Sequence, residues 1–250
     1  MIKIVNIICI VQARIGSERL PGKVLKKINK KPLIDYTISR LKKSKYINKV
    51  ILVTSNLVKD NELEKYCLEN NIEYFRGSED NVLERYVKAT EKYKGDIILR
   101  VTGDCPLIDW NIIDKAIEKF LENNFDYLRL DVPETFIRGF DVEILTREAL
   151  EKTYFLVSQI SKGNLTRFHE HVTLYIYENK DKFNVGYLKG NKEFIRDYRL
   201  CVDTLEDFKV VENIILNINE KELLYENIIT YLDLNRNIAE LNKEVMQKKV

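Results

Sequence analysis

Short apolar runs rich in β-branched residues alternate along this chain with segments of helical periodicity, and that alternation constrains the fold more than any other feature. IVNIICIV at residues 4–11, VILVT at 50–54 and DIILRV at 96–101 read as strands buried on both faces. Residues 32–44 place Leu33, Tyr36, Thr37, Ile38 and Leu41 at helical spacing, and further helices are predicted around 60–70, 80–94 and 111–123. Short strands are predicted at Glu73 to Phe75 and at DYLRL, 126–130. This order predicts an α/β fold with a doubly wound, mostly parallel sheet. Between about 131 and 190 the rhythm changes. GFDVEILT and HVTLYIYE read as strands around a helix beginning near Thr146, so a β-rich elaboration is expected inside a single domain covering 1–250. RLCVD at 199–203 reads as a returning strand, followed by a helix from about Leu205 to Asn217. A C-terminal helical segment at about 219–250 would end with Ile238, Leu241 and Val245 on one apolar stripe.

The chain has 250 residues, 45% of them hydrophobic, enough for a substantial core, which excludes a disordered segment or a small disulfide scaffold. Its 41 basic and 39 acidic residues leave a net charge of +2, which gives no ground for a nucleic-acid or membrane partner. Cys9, Cys67, Cys105 and Cys201 are widely spaced with no C-x-x-C, as expected of reduced thiols in a cytoplasmic protein. The run at 4–11 is too short to span a bilayer, and no targeting segment is expected.

The loop after the first strand, QARIGSERLPGKVL at 12–25, gathers Arg14, Arg19 and Lys23 around Gly16 and Gly22 with one acid, Glu18. Glycines let backbone N–H groups approach phosphate oxygens, arginine adds forked donors and lysine a compact charge. The loop leaves the C-terminal end of a strand, where open parallel sheets bind ligands. Neither a Walker loop nor G-x-G-x-x-G occurs, so charge alone leaves a solvated basic loop equally open.

ARIGSERLPGKVL resembles the signature of cytidylyltransferases that activate sugars as CMP derivatives, and most closely the SpsF-like branch associated with surface and spore-coat polysaccharides. FRGSEDNVLERY at 75–86, RVTGDCPLID at 100–109, GFDVEIL at 139–145, EHVTLYI at 170–176 and CVDTLEDF at 201–208 follow in the order of that family. The resemblance covers roughly residues 4–215 and is shared with the enzymes that activate ketodeoxyoctonate and sialic acids. It implies a nucleotide-diphospho-sugar transferase-like fold and transfer of CMP from CTP to a sugar, an acidic keto sugar among the candidates, with release of pyrophosphate. It also implies a homodimer formed through the 131–190 segment, where HVTLYIYE would expose aromatic residues. A nucleotide-sugar glycosyltransferase and a noncatalytic nucleotide-binding subunit are the alternatives.

The resemblance also assigns roles. Arg14, Lys23, Asp104 and Asp203 are the expected catalytic residues, and Asp104 and Asp203, each past the end of a strand, are the expected Mg²⁺ ligands, since that hard cation takes carboxylate and phosphate oxygens and keeps waters. The nucleotide is expected on Gln12, Ala13, Arg14, Gly16, Ser17, Arg19 and Lys23 of the loop. Ser78, Arg100 and Asp104 are expected to join them. Arg100 would face a ligand phosphate or else pair with an acid such as Asp96 or Asp141. The acceptor is expected near Arg76, Asn81, Arg85, Asp141 and His171, although Ser78 and Asn81 suit helix capping equally well. His169 and His171 would share one face of an extended segment, but two histidines without a third ligand do not make a zinc site. Cys105 has no basic neighbour and is not read as a nucleophile.

Overall fold

A computed structural model of the chain describes residues 5–160 and 165–247. Ile4, residues 161–164 of the expected elaboration and residues 248–250 of the expected C-terminal segment lie outside the described residues. In chain order, strand β1 (Ile7–Gln12) leads through the basic loop to a small antiparallel ribbon, β2 (Lys27–Ile28) and β3 (Lys31–Pro32). Helix α1 (Leu33–Leu41), β4 (Lys49–Ser55), α2 (Asn61–Glu69), β5 (Glu73–Gly77), α3 (Val82–Tyr93), β6 (Ile97–Thr102) and α4 (Trp110–Glu122) complete the alternating half. Strands β7 (Tyr127–Leu130) and β8 (Glu143–Thr146) follow, then α5 (Arg147–Ser158), α6 (Leu165–Glu170), α7 (Leu174–Glu178) and β9 (Val185–Leu188). The chain closes with α8 (Leu205–Asn217), α9 (Tyr225–Leu234) and α10 (Arg236–Ala239).

The main sheet has seven strands in the order β5-β4-β1-β6-β8-β7-β9. Only the pairings of β8 with β6 and with β7 are antiparallel; every other neighbour pair is parallel. The two-residue side-chain period of β1 explains why both faces are covered. Cys9 and Val11 enter the core beneath α1, α4, α8 and α9, whereas Ile8 and Ile10 enter the core beneath α3, α5 and α7. The expected doubly wound fold is therefore observed. Parallel pairing also delivers the ends of β1, β4 and β6 to one edge, where the basic loop begins.

Three expectations are corrected. The 131–190 segment is not β-rich: its strands β8 and β9 belong to the main sheet, and HVTLYIYE lies on α7 and the turn before it. Its β-branched and aromatic residues suit either structure, and the helix wins because i,i+4 spacing brings Thr173 and Tyr177 to one buried carboxylate, that of Glu143. Leu174, Tyr175 and Ile176 are buried, so this run offers no exposed aromatic surface for pairing two copies, and the two histidines share no strand face.

RLCVD is not a strand of the sheet, because β8 already occupies the edge of β6. It runs extended, with one bridge between Arg138 and Arg199. A β-carbon on Gly139 would lie 2.5 Å from the Leu200 carbonyl carbon, so glycine permits this approach. The final apolar stripe is absent too. Helix α10 stops at Ala239, Leu241 is exposed, and the buried residue is Asn242, whose amide donates to Arg199 O and Asp207 Oδ1.

Candidate active site

Gly22 adopts φ 67°, a left-handed conformation that glycine takes without penalty, and starts the single turn Lys23–Leu25. That turn carries the Lys23 side chain into a cleft of about 310 Å³ at the C-terminal ends of β1 and β6. Lys23 Nζ donates to Asp104 Oδ2 at 2.7 Å and to Asp203 Oδ1 at 2.8 Å, so two carboxylates 99 residues apart in sequence converge on one ammonium. Asp104 follows β6, and its carbonyl accepts the Val202 N–H at 2.8 Å, which places Asp203 beside it without a shared strand. Arg19 pairs with Asp203 Oδ2 at 2.9 Å, and Arg199 pairs with the same oxygen while donating from Nε to Asp207 Oδ1. Asp207 Oδ2 accepts the Asp203 and Thr204 N–H groups, closing a capping box at the start of α8 and fixing the backbone beneath Asp203.

The charges follow from this packing. Burial alone would lower the Lys23 ammonium, but Asp104 and Asp203 outweigh it and hold Lys23 above its ordinary value. Burial likewise opposes ionisation of Asp203, yet Lys23, Arg19 and Arg199 hold its carboxyl below the usual range. The stabilisation from Asp203 is present above its unfolded-state value and is lost as pH falls through the depressed one. That from Lys23 is present below its unfolded-state value and is lost as pH rises through the elevated one. The pair is thus fully charged across the neutral range.

Gln12, Ala13, Arg14 and Ser17 line the same cleft, as does Arg85 from α3. The loop is braced from below: Asp60 accepts the Ile15 N–H at 2.8 Å, and Glu79 Oε1 accepts from Arg14 at 3.3 Å and Lys59 at 3.0 Å. Gly16 faces away, with Lys59 Nζ 2.6 Å from where a β-carbon would stand.

Other expected residues have structural work elsewhere. Arg76 sits on the edge strand β5 and is held by Glu64 and by the carbonyls of Ser55 and Leu57. Ser78 Oγ accepts the Asn81 N–H, and Asn81 Oδ1 accepts the Glu84 N–H, which is helix capping. Arg100 is not among the residues lining the cleft and pairs with neither Asp96 nor Asp141; its partner is Glu143, directly opposite in the β6–β8 register. That carboxylate outweighs the burial of Arg100 and holds its guanidinium above the ordinary value. Asp141 accepts the Gly139 N–H at 2.9 Å in a side cavity of about 110 Å³, and burial raises its carboxyl. Thr102 lines both this cavity and the main cleft. His171 does not line the cleft, and burial lowers its imidazole, which disfavours a charged role. Cys105 is buried, which raises its thiol and agrees with an inert side chain.

Sequence reasoning missed Glu143 and Glu170. Glu170 reaches the cleft from the end of α6, and only its place in EHVTLYI marked it. Glu143 had a usable signal, an acid inside the apolar run FDVEIL.

The cytidylyltransferase family model matches residues 8–238. An uncharacterized protein of Methanocaldococcus jannaschii is 39% identical over 97% of each chain. The spore coat polysaccharide biosynthesis protein SpsF of Bacillus subtilis is 32% identical over 94% of this chain and 97% of its own. Among solved structures, a cytidylyltransferase from Leptospira borgpetersenii superposes with a TM-score of 0.85 at 33% identity, covering 98% of this chain and all of that one. A cleft that sets three basic loop residues against two convergent carboxylates suits nucleotidyl transfer, and with these matches the chain belongs to the cytidylyltransferase family of nucleotidyltransferase enzymes.

Proposed function

We propose that this enzyme transfers CMP from CTP to a sugar oxygen, giving a CMP-sugar and pyrophosphate for surface polysaccharide synthesis. The observation that carries the reading is Lys23 Nζ held between Asp104 and Asp203 inside a cleft also lined by Arg14 and Arg19. The same family and the name of the Bacillus subtilis relative support CTP as donor and a polysaccharide as destination.

The carboxylates fit Mg²⁺. Their oxygens already converge on one cationic atom, and two carboxylates would suit a hard cation that also takes phosphate and water oxygens. Bound there, Mg²⁺ would offset charge on the α-phosphate and lower the proton affinity of the attacking oxygen. The protein's own contribution is electrostatic and positional. Lys23 and Arg19, which line the cleft beside those carboxylates, would face the triphosphate and offset the charge that grows on the leaving pyrophosphate. No side chain in this scheme forms a bond to phosphorus.

Arg14→Ala, Arg19→Ala and Lys23→Ala are each expected to lower kcat/KM for CTP by roughly 1.5–3 kcal/mol of transition-state stabilisation, with Arg14, the most exposed, at the low end. Unchanged kcat/KM in all three would show that the loop is only solvated. A homodimer is also part of this reading. With the aromatic run of α7 buried, its support is the family resemblance of the 131–190 segment and not an exposed aromatic surface on that helix. Sedimentation at twice the 29.6 kDa chain mass would agree, and a monomer at micromolar protein would rule it out.

A further inference from the structure

Arg85 is 2% exposed, one of few arginines buried so deeply, and its guanidinium makes no hydrogen bond or ion pair with any described residue. Its Nε and Nη1 are buried and unpartnered. Of the nearest acids, Asp60 holds Ile15 and Ser55, while Glu79 holds Arg14 and Lys59 through Oε1 and keeps a buried, unpartnered Oε2, with no bond from either to Arg85. Burial lowers the Arg85 guanidinium, and the nearby acids Glu79 and Asp60 offset that only in part. A second orphan lies in the same cleft, because Gln12 Oε1 is buried with no donor. A native protein rarely leaves both a donor and an acceptor unsatisfied beside one cavity unless something that enters it satisfies them.

The cleft itself says which part of a nucleotide that is. Asp104, Asp203, Lys23 and Arg19 form one mutually bonded group, which suits phosphate and cation. Arg85 and Gln12 take no part in it; they reach the cleft from α3 and from the end of β1. Together they offer N–H donors and a carbonyl acceptor, the complement of a pyrimidine edge with a ring carbonyl, an unprotonated ring nitrogen and an exocyclic amine. We propose that Arg85 and Gln12 read the nucleobase and set the preference for cytosine over uracil. Uracil puts an N–H where cytosine has a bare ring nitrogen and a carbonyl where cytosine has an amine, so it would leave buried groups unpaired. This rests on the CTP reading above and adds to it the residues that choose the base.

The test is calorimetric titration of the purified protein with CTP, UTP and inorganic triphosphate, without acceptor, for wild type, Arg85→Met, Arg85→Lys and Gln12→Leu. Wild type is expected to prefer CTP over UTP by roughly tenfold or more, and Arg85→Met and Gln12→Leu to narrow that ratio to about threefold or less. Triphosphate affinity should stay within about twofold throughout, and the ligand-free melting temperature of Arg85→Met should be equal to or above that of wild type, since an unpaired buried charge has been removed. Arg85→Lys keeps the charge but not the planar donors and should narrow the ratio as well. Equal losses for CTP, UTP and triphosphate would assign Arg85 to phosphate and overturn the proposal. An unchanged ratio, or a lower ligand-free melting temperature with an unchanged ratio, would assign it to the fold and overturn it too. Failure of the wild type to bind CTP at all would instead refute the proposed function, so the two failures are distinguishable.

Discussion

Asp104→Asn or Asp203→Asn is expected to cut kcat by roughly 100-fold or more, a loss of about 2.7 kcal/mol or greater. Asparagine keeps the size of the side chain and can still accept from Lys23, and the Val202 N–H to Asp104 O bond that joins the two segments belongs to the backbone. What is lost is a negative charge at the place where the two carboxylates converge. Because removing that charge weakens no contact to phosphate, CTP binding measured without divalent cation should be retained while turnover falls. This separation identifies a role in the chemical step rather than in nucleotide capture. Near-normal kcat in either variant would remove the two aspartates from the mechanism.

Glu143→Ala is expected to destabilise the fold by about 3–5 kcal/mol in urea unfolding. The Glu143 carboxylate pairs with Arg100 and accepts from the hydroxyls of Tyr127, Thr173 and Tyr177, so a single side chain joins β6, β7 and α7 to β8. Its loss leaves the largely buried guanidinium of Arg100 without a counter-ion and several hydroxyls without an acceptor, each a costly state away from water. The paired change Arg100→Met with Glu143→Leu should cost much less than Glu143→Ala alone, because it removes both charges together. A loss below about 1 kcal/mol for Glu143→Ala would mean that water or a rearrangement replaces the carboxylate.

The same residue shows how far the fold is legible in the sequence. β1, β4 and β6 could be located because their apolar residues fill both faces of a parallel sheet, a pattern set by local sequence. The run at 171–178 misled because its β-branched and aromatic residues suit a strand equally well. What makes it helical is the reach of Thr173 and Tyr177 to Glu143, a contact spanning about a turn of helix but tens of residues of chain. RLCVD misled for a related reason: it has strand composition, but the sheet edge it would need is occupied.

Within the site, the basic loop was legible from charge and glycine spacing, and Lys23, Arg19 and Arg14 do line the cleft. The partnership of Asp104 with Asp203 is read from two strand ends together with the family resemblance; the strand end holds for Asp104 but not for Asp203, which is brought there by the extended segment bonded to the Asp104 carbonyl. Arg76, Ser78 and Asn81 read as polar site residues, yet edge pairing and helix capping account for them. Arg85, in the same stretch, is the one that enters the cleft, and only its burial without a partner distinguishes it from its neighbours.

The most direct measurement is a mass-resolved incubation of the purified enzyme with CTP, Mg²⁺ and a panel of acidic and neutral sugars, following pyrophosphate and sugar products together. The account predicts that one class of acceptor yields a CMP-sugar and pyrophosphate in equal amounts, and that Asp104→Asn abolishes both. Extension of a glycan from a nucleotide-sugar with no pyrophosphate released, or CTP binding with no product from any acceptor, would contradict it.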